Sequence, residues 1–228
     1  MNLHRQPIYL FADSQLLFWR KQGVLFLDSL RHLVTCDTPS AAYIGASNGD
    51  APEFYLIFEA AMEAIGIRSC RMIRHAFSAE DESFLNKADI ILLAGGDVAL
   101  GWEAFGEMGI RDSIIRRYYE GAVLIGVSAG AVQLGLCGLK ESEPGQEELF
   151  DTFKLIPFVI DAHDEKRRWE RLQRAIRILD GAAQGIGIPA GGGMLYYPNQ
   201  SIEALKEPLY EFSIQDGKVK EALLMPKR

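Results

Sequence analysis

Cysteine is scarce in this chain and does not pair. Cys36, Cys70 and Cys137 are odd in number, widely spaced and free of any C-x-x-C pattern. That argues against a disulfide framework or a zinc site and predicts buried, reduced thiols. Histidine is nearly as rare, with four residues. No His and carboxylate pairs stand at ligand spacing apart from the run His163-Asp164-Glu165, which reads as one catalytic residue followed by a charged helix start. No metal and no cofactor are therefore expected. Long apolar runs are missing too: Ile90 to Ala94 and Ala122 to Val127 are strand-length, far short of the roughly 20 residues of a membrane-spanning helix. Met1 to Leu10 carries His4, Arg5 and Pro7 but no apolar h-region or cleavage site, so the expected location is the cytoplasm. Lys and Arg form no concentrated block outside one helix, and the net charge is −7, which opposes nucleic-acid binding by counterion release. Neither G-x-G-x-x-G nor a Walker lysine occurs, so a dinucleotide site has little support. A small or peptide-like substrate is what these absences leave.

What is present is a chain of 228 residues, 48% hydrophobic and 10% aromatic, enough to fill the core of one large domain spanning residues 1–228. Short apolar runs alternate with amphipathic stretches. This is the pattern of an α/β fold, a mostly parallel sheet with helices on both faces. The runs are Ile8 to Ala12, Ala41 to Gly45, Ile67 to Ile73, Asp89 to Leu93, Ala122 to Val127 and Leu155 to Ile160. Helical spacing marks Ala51 to Ile65, Ile110 to Tyr119 and Asp164 to Leu179, the last interleaving five arginines with an apolar face. Glu141 to Asp151, with Pro144 and Gly145 among five carboxylates, predicts an exposed loop or insertion. After Gly185 the runs shorten to Gly185–Ile188, Met194–Tyr197 and Leu209–Ile214, with Asp216-Gly217 as a turn, which predicts a small antiparallel C-terminal edge. No internal repeat or linker suggests a second domain.

One segment carries chemistry. Gly126-Val-Ser-Ala-Gly-Ala131 matches G-x-S-x-G directly after a strand and directly before a helix-compatible run, the context a nucleophile elbow requires. A tight strand-to-helix connection alone would give the same short pattern; the flanking elements favour the catalytic reading. The turn lifts the Ser128 hydroxyl clear of the sheet, and the Ala129 amide at the helix start points to where an oxyanion would form. A second glycine turn, Ala94-Gly95-Gly96-Asp97, also ends a buried strand. Loops at the carboxyl ends of neighbouring parallel strands converge, so the amide of Gly95 or Gly96 is a second oxyanion donor in this reading. A serine hydroxyl needs a base. Of the four histidines, His4 lies in the N-terminal tail, His32 in a helix and His75 after an edge-like strand; His163 alone follows a core strand at the expected rim.

Taken in order, Ala94-Gly95-Gly96-Asp97, Gly126-Val-Ser-Ala-Gly-Ala131 and Ile160-Asp161-Ala162-His163, followed by Arg168 and Arg171-Leu172, resemble the dipeptidase E and cyanophycinase family of serine peptidases, similar in fold to class I glutamine amidotransferases. The resemblance implies Ser128 as nucleophile, His163 as base and then acid, and the amides of Gly96 and Ala129 as oxyanion hole. It sets Gly95, Asp97, Arg168 and Arg171 among candidate substrate-binding residues, the arginines suiting a substrate carboxylate, as in members that prefer an aspartyl residue at the cleaved bond. For each arginine a solvated ion pair is the more common role. The sequence departs from the pattern at Ile188-Pro189-Ala190-Gly191, where the family has a glutamate in a Pro-Glu-Gly turn. It departs again at Asp164, where an aromatic residue often follows the histidine. Asp161, Asp164 and Glu165 are the carboxylates nearest His163 in sequence, and none is singled out.

Two functions follow: a serine hydrolase cleaving a short, aspartyl-type peptide or amide bond through an acyl-enzyme, or a catalytically weakened relative, marked by Ala190, that binds a peptide or small metabolite. A glutamine amidotransferase would need cysteine at the elbow, and Cys137 lies beyond it. The apolar segment Met194 to Pro198 fits a homodimer surface and an ordinary core or edge strand equally. Asp13 to Arg20 and Glu141 to Asp151 are the segments expected to shape the pocket.

Overall fold

The computed structural model describes residues 5–34, 36–143 and 146–227; His4, Pro144 and Gly145 lie outside them. Its centre is a seven-stranded sheet whose five parallel strands are Ile8–Phe11, Val123–Val127, Ile90–Leu93, Ser40–Ile44 and Ser69–Ile73, in that spatial order. Strands covered on both faces read as continuous apolar runs, and Ile8–Phe11, Ile90–Leu93 and Val123–Val127 are buried at every position. Alternation sorts their side chains onto two faces. Leu10, Ile44, Leu93 and Leu124 face Phe105, Ile114 and Tyr118, which belong to the helices Val98–Glu107 and Arg111–Tyr119. Phe11, Tyr43, Leu92 and Val127 face Phe58, Met62 and Ile65 on the other side, the first two from the helix Pro52–Ala64.

The C-terminal half departs from the expectation. Gly193–Tyr196 pairs antiparallel with Ile8–Phe11 and Ile202–Leu205 follows it, so the Met194 segment is an internal strand of the main sheet. The run Leu155 to Ile160 yields a later strand, Phe158–Ala162, which leaves the main sheet. It pairs in parallel with Gln184–Ile188 in a four-stranded sheet completed by Leu209–Gln215 and Lys218–Leu224. The edge is thus a second, mixed sheet. Its last hairpin turns on Asp216 and Gly217, both at positive φ, as a two-residue loop requires. Where a loop is expected at 141–151, the described residues belong to an antiparallel pair of strands, Cys137–Glu143 and Gln146–Asp151. The continuous helix expected from Asp164 is broken: a 3₁₀ turn, Glu165–Arg167, precedes the helix Glu170–Ile178, and Arg168 and Trp169 between them both adopt left-handed backbone. Trp169 then packs on Gly187, where a Cβ would approach its ring to 2.7 Å. The thiol expectation fails at Cys36, which is exposed, whereas Cys137 is buried. No helix among the described residues is long and apolar enough to cross a membrane.

Two glycines let the elbow close. A Cβ on Gly126 would lie 2.6 Å from the Gly130 carbonyl oxygen, and one on Gly130 would lie 2.1 Å from the Leu93 carbonyl oxygen, so the helix Ala129–Leu134 packs directly against backbone. The Gly130 amide donates to the Ala94 carbonyl at 3.1 Å. Gly130→Ala is expected to lower stability by about 1–3 kcal/mol, read as a reduced urea midpoint; an unchanged midpoint would mean that the helix can move off the strand without cost.

Candidate active site

Ser128 is where the strand Val123–Val127 stops. Its amide still donates to the Phe11 carbonyl at 2.8 Å, extending the sheet by one residue. Its backbone then turns to φ 50°, ψ −109°, a region costly for any residue with a Cβ and maintained only when the surroundings impose it. The result raises the side chain above the sheet, where Oγ stands 2.7 Å from Nε2 of His163. That histidine is reached from the second sheet. It follows Phe158–Ala162, its amide donates to the Ile188 carbonyl at 2.8 Å, and it too has positive φ, 47°. The ladder between the two strands therefore sets where the imidazole emerges. Nδ1 of His163 has no hydrogen-bond partner among the described residues.

The Gly95-Gly96 turn lies beside the serine: a Cβ on Gly95 would sit 3.3 Å from that of Ser128. Gly96, at φ 138°, cannot carry a side chain, since a Cβ would lie 1.9 Å from the Ser47 carbonyl oxygen. The Asp97 amide donates to that same oxygen at 2.7 Å, and Asp97 Oδ1 accepts from the Leu100 amide at 2.8 Å, capping the next helix. Asp97 is thereby committed to holding the turn. The amides of Gly95, Gly96 and Ala129 have no acceptor among the described residues, so they are free to receive an oxyanion.

The pocket beside Ser128 is a cavity of about 250 Å³. Leu92 and Val127 contribute from the sheet, Phe54, Ile57 and Phe58 from the helix Pro52–Ala64, and Leu17 from the turn after the first strand. Among the described residues Asp13 is the one carboxylate in the lining, and no lysine or arginine contributes to it. Of the two segments expected to shape the pocket, Asp13 to Arg20 does so and the hairpin at 141–151 does not. Arg168 and Arg171 are also absent from the lining. Arg171 donates to the Leu139 carbonyl at 3.1 Å and, with Asp161, lines a separate small cavity beneath the helix Glu170–Ile178. Cys137 is no alternative nucleophile, because burial pushes its thiol up to about 11. No group of three or more His, Cys, Asp or Glu among the described residues is arranged to hold a metal ion.

The model of peptidase family S51 matches residues 20–205, a span that includes the elbow, the glycine turn and His163. The chain belongs to peptidase family S51. Among solved structures, this S51 chain is similar to a peptidase from an acI-B1 Actinobacterium, with a TM-score of 0.71, 14% identity, and 100% of this chain and 97% of that one covered. It is also similar to a protein assigned as a peptidase E from Listeria monocytogenes EGD-e, with a TM-score of 0.57, 16% identity, and 96% and 99% covered. At such identities these likenesses establish the fold. No curated protein sequence matches significantly.

Several residues of this S51 site were not foreseen. Gln133, wholly buried on the elbow helix, donates to Ser47 Oγ at 3.1 Å and to the Val98 carbonyl at 3.0 Å, tying elbow, glycine turn and the Ala46–Asn48 turn together. A lone glutamine five residues after the serine carries no sequence signal for this. Asp13 accepts from the Gln15 amide at 2.9 Å and from the Gly191 amide at 2.7 Å, so it anchors the turn in which Ala190 stands. Asp161 is absent from the cavity that Ser128 lines. Burial pushes its carboxyl up to about 6, against the hydrogen bond from the Ala162 amide and the attraction of Arg171 and His163. A carboxyl whose folded pKa is raised is penalised when ionised, so the penalty is complete above about pH 6 and fades as pH falls towards 4. Asp161→Asn is therefore expected to raise the melting temperature by a few degrees at about pH 8 and hardly at all at about pH 4. An equal gain at both pH values, in thermal denaturation followed by circular dichroism, would contradict the buried-acid account.

Proposed function

We propose that this S51 protein is a serine peptidase acting on short peptide or amide bonds through an acyl-enzyme. The observation that carries the reading is the 2.7 Å hydrogen bond between Ser128 Oγ and His163 Nε2, beside amides that have no other acceptor. Ser128 Oγ attacks the scissile carbonyl carbon as His163 Nε2 takes its proton. The oxyanion forms against the amides of Gly96, with Gly95 beside it, and Ala129. The carbon–nitrogen bond then breaks, the imidazolium returns the proton to the departing amine, and water activated by the same imidazole hydrolyses the ester. The aspartyl preference that Arg168 and Arg171 would have supplied has no cation in the cavity to rest on.

The weakened-binder reading draws on one specific feature: His163 lacks an orienting acid, because residue 190 is alanine and both oxygens of Asp13 accept from backbone amides. An imidazole without such a partner loses tautomer control and imidazolium stabilisation, a deficit that reaches about 10⁴-fold in kcat where a triad acid is removed. We therefore expect slow turnover. Ser128→Ala is expected to abolish hydrolysis of a short-peptide library, a loss of at least ~10⁴-fold, and to prevent covalent labelling by a fluorophosphonate. Ala190→Glu is expected to raise kcat by at least ~10-fold with little change in KM. Cleavage that persists in Ser128→Ala would overturn the assignment of the nucleophile, and absence of both cleavage and labelling in the unaltered chain would favour the binder.

A further inference from the structure

The cavity beside Ser128 has a chemistry unlike that expected for an acidic substrate. It is walled by aromatic and aliphatic side chains, chiefly Phe54, Ile57, Phe58 and Val127. The arginines that might offset a substrate carboxylate lie elsewhere, Arg171 lining a separate small cavity and Arg168 outside this lining. The one ionisable carboxylate present, Asp13, is negative and held in place by two backbone amides. An aspartyl side chain entering here would lose its hydration, meet no lysine or arginine among the described residues and face the Asp13 carboxylate. An apolar side chain would instead release water from both surfaces, at about 25 cal/mol for each Å² of apolar area buried.

We propose that this cavity is the specificity pocket of the enzyme, and that it selects a short peptide with a bulky apolar residue, phenylalanine or leucine, flanking the scissile bond. The proposal rests on the hydrolase reading for turnover but not for recognition, since the lining discriminates whether or not bond cleavage follows. Phe54 stands at the mouth: it is 46% exposed, in the first turn of the helix Pro52–Ala64, so replacing it alters the pocket without emptying the core. It is a specificity-determining position, and a guanidinium there would supply the cation the cavity lacks.

The test uses two sets of dipeptides, one varied at the first residue and one at the second, offered to the full chain, to Ser128→Ala and to Phe54→Arg. Ser128-dependent cleavage should be at least tenfold faster in kcat/KM with phenylalanine or leucine than with aspartate at one of the two positions. Phe54→Arg should narrow or invert that ratio. Ser128-dependent cleavage that favours aspartate in the unaltered chain would overturn the proposal while leaving the hydrolase reading intact. If no dipeptide is cleaved, binding of phenylalanyl-glycine, glycyl-phenylalanine and their aspartyl counterparts to Ser128→Ala, followed by calorimetry, decides separately. Tighter binding of a phenylalanyl peptide upholds the apolar pocket while the hydrolase reading fails, and equal, absent or aspartyl-favouring binding overturns the pocket as well.

Discussion

The contact on which the site depends is the approach of the elbow helix to the backbone of the neighbouring strand. Gly130 lies against the Leu93 carbonyl and donates to Ala94, so the helix that follows Ser128 cannot relax outward. With the strand fixed on one side by Phe11 and the helix on the other by Leu93, the residue between them has to accept an unfavourable φ. The same approach sets the strand end bearing Gly95 and Gly96 alongside the serine, because Leu93 leads directly into that turn. Gln133 completes the arrangement by tying the helix to Ser47 and Val98. Ser128, the glycine turn beside it and one wall of the cavity thus derive from one piece of close backbone packing, which only glycine at residues 126 and 130 permits.

The parallel half of the fold was legible because its signal is local: buried strands such as Ile90–Leu93 have to be apolar at each position, and the residues that end them have to be small. The strand-to-helix turn at Ser128 was legible for the same reason. What followed residue 155 was not, because the apolar run Leu155 to Ile160 has no local property that distinguishes a strand of the main sheet from one that founds a second sheet. That choice is made by pairing with Gln184–Ile188, far away in sequence. The helix after His163 was misread because its apolar spacing continues through Arg168 and Trp169, while the packing of the Trp169 ring on Gly187 imposes left-handed backbone there. His163 nonetheless lies beside Ser128, since its position depends only on the end of one strand.

Asp13 and Asp161 illustrate how little proximity in sequence says about a carboxylate's role. Asp161 is two residues from the histidine, yet it lines a different cavity together with Arg171, where burial raises its carboxyl. Asp13 is 150 positions away and lines the same cavity as His163. Its two oxygens serve the Gln15 and Gly191 amides, so it supports the turn at Ala190 from below rather than replacing the acid that turn lacks.

These placements bear jointly on substrate choice. An S51 site could accept an acidic residue by directing arginines into its cavity, and this chain has five of them in the stretch after His163. The left-handed break at Arg168 and Trp169 interrupts the helix that would present them, and Arg171 donates instead to the Leu139 carbonyl. The cavity is therefore left with the surfaces its scaffold provides, the apolar faces of one helix and two strands, and with a carboxylate whose purpose is structural. The arginines after His163 lie outside that lining.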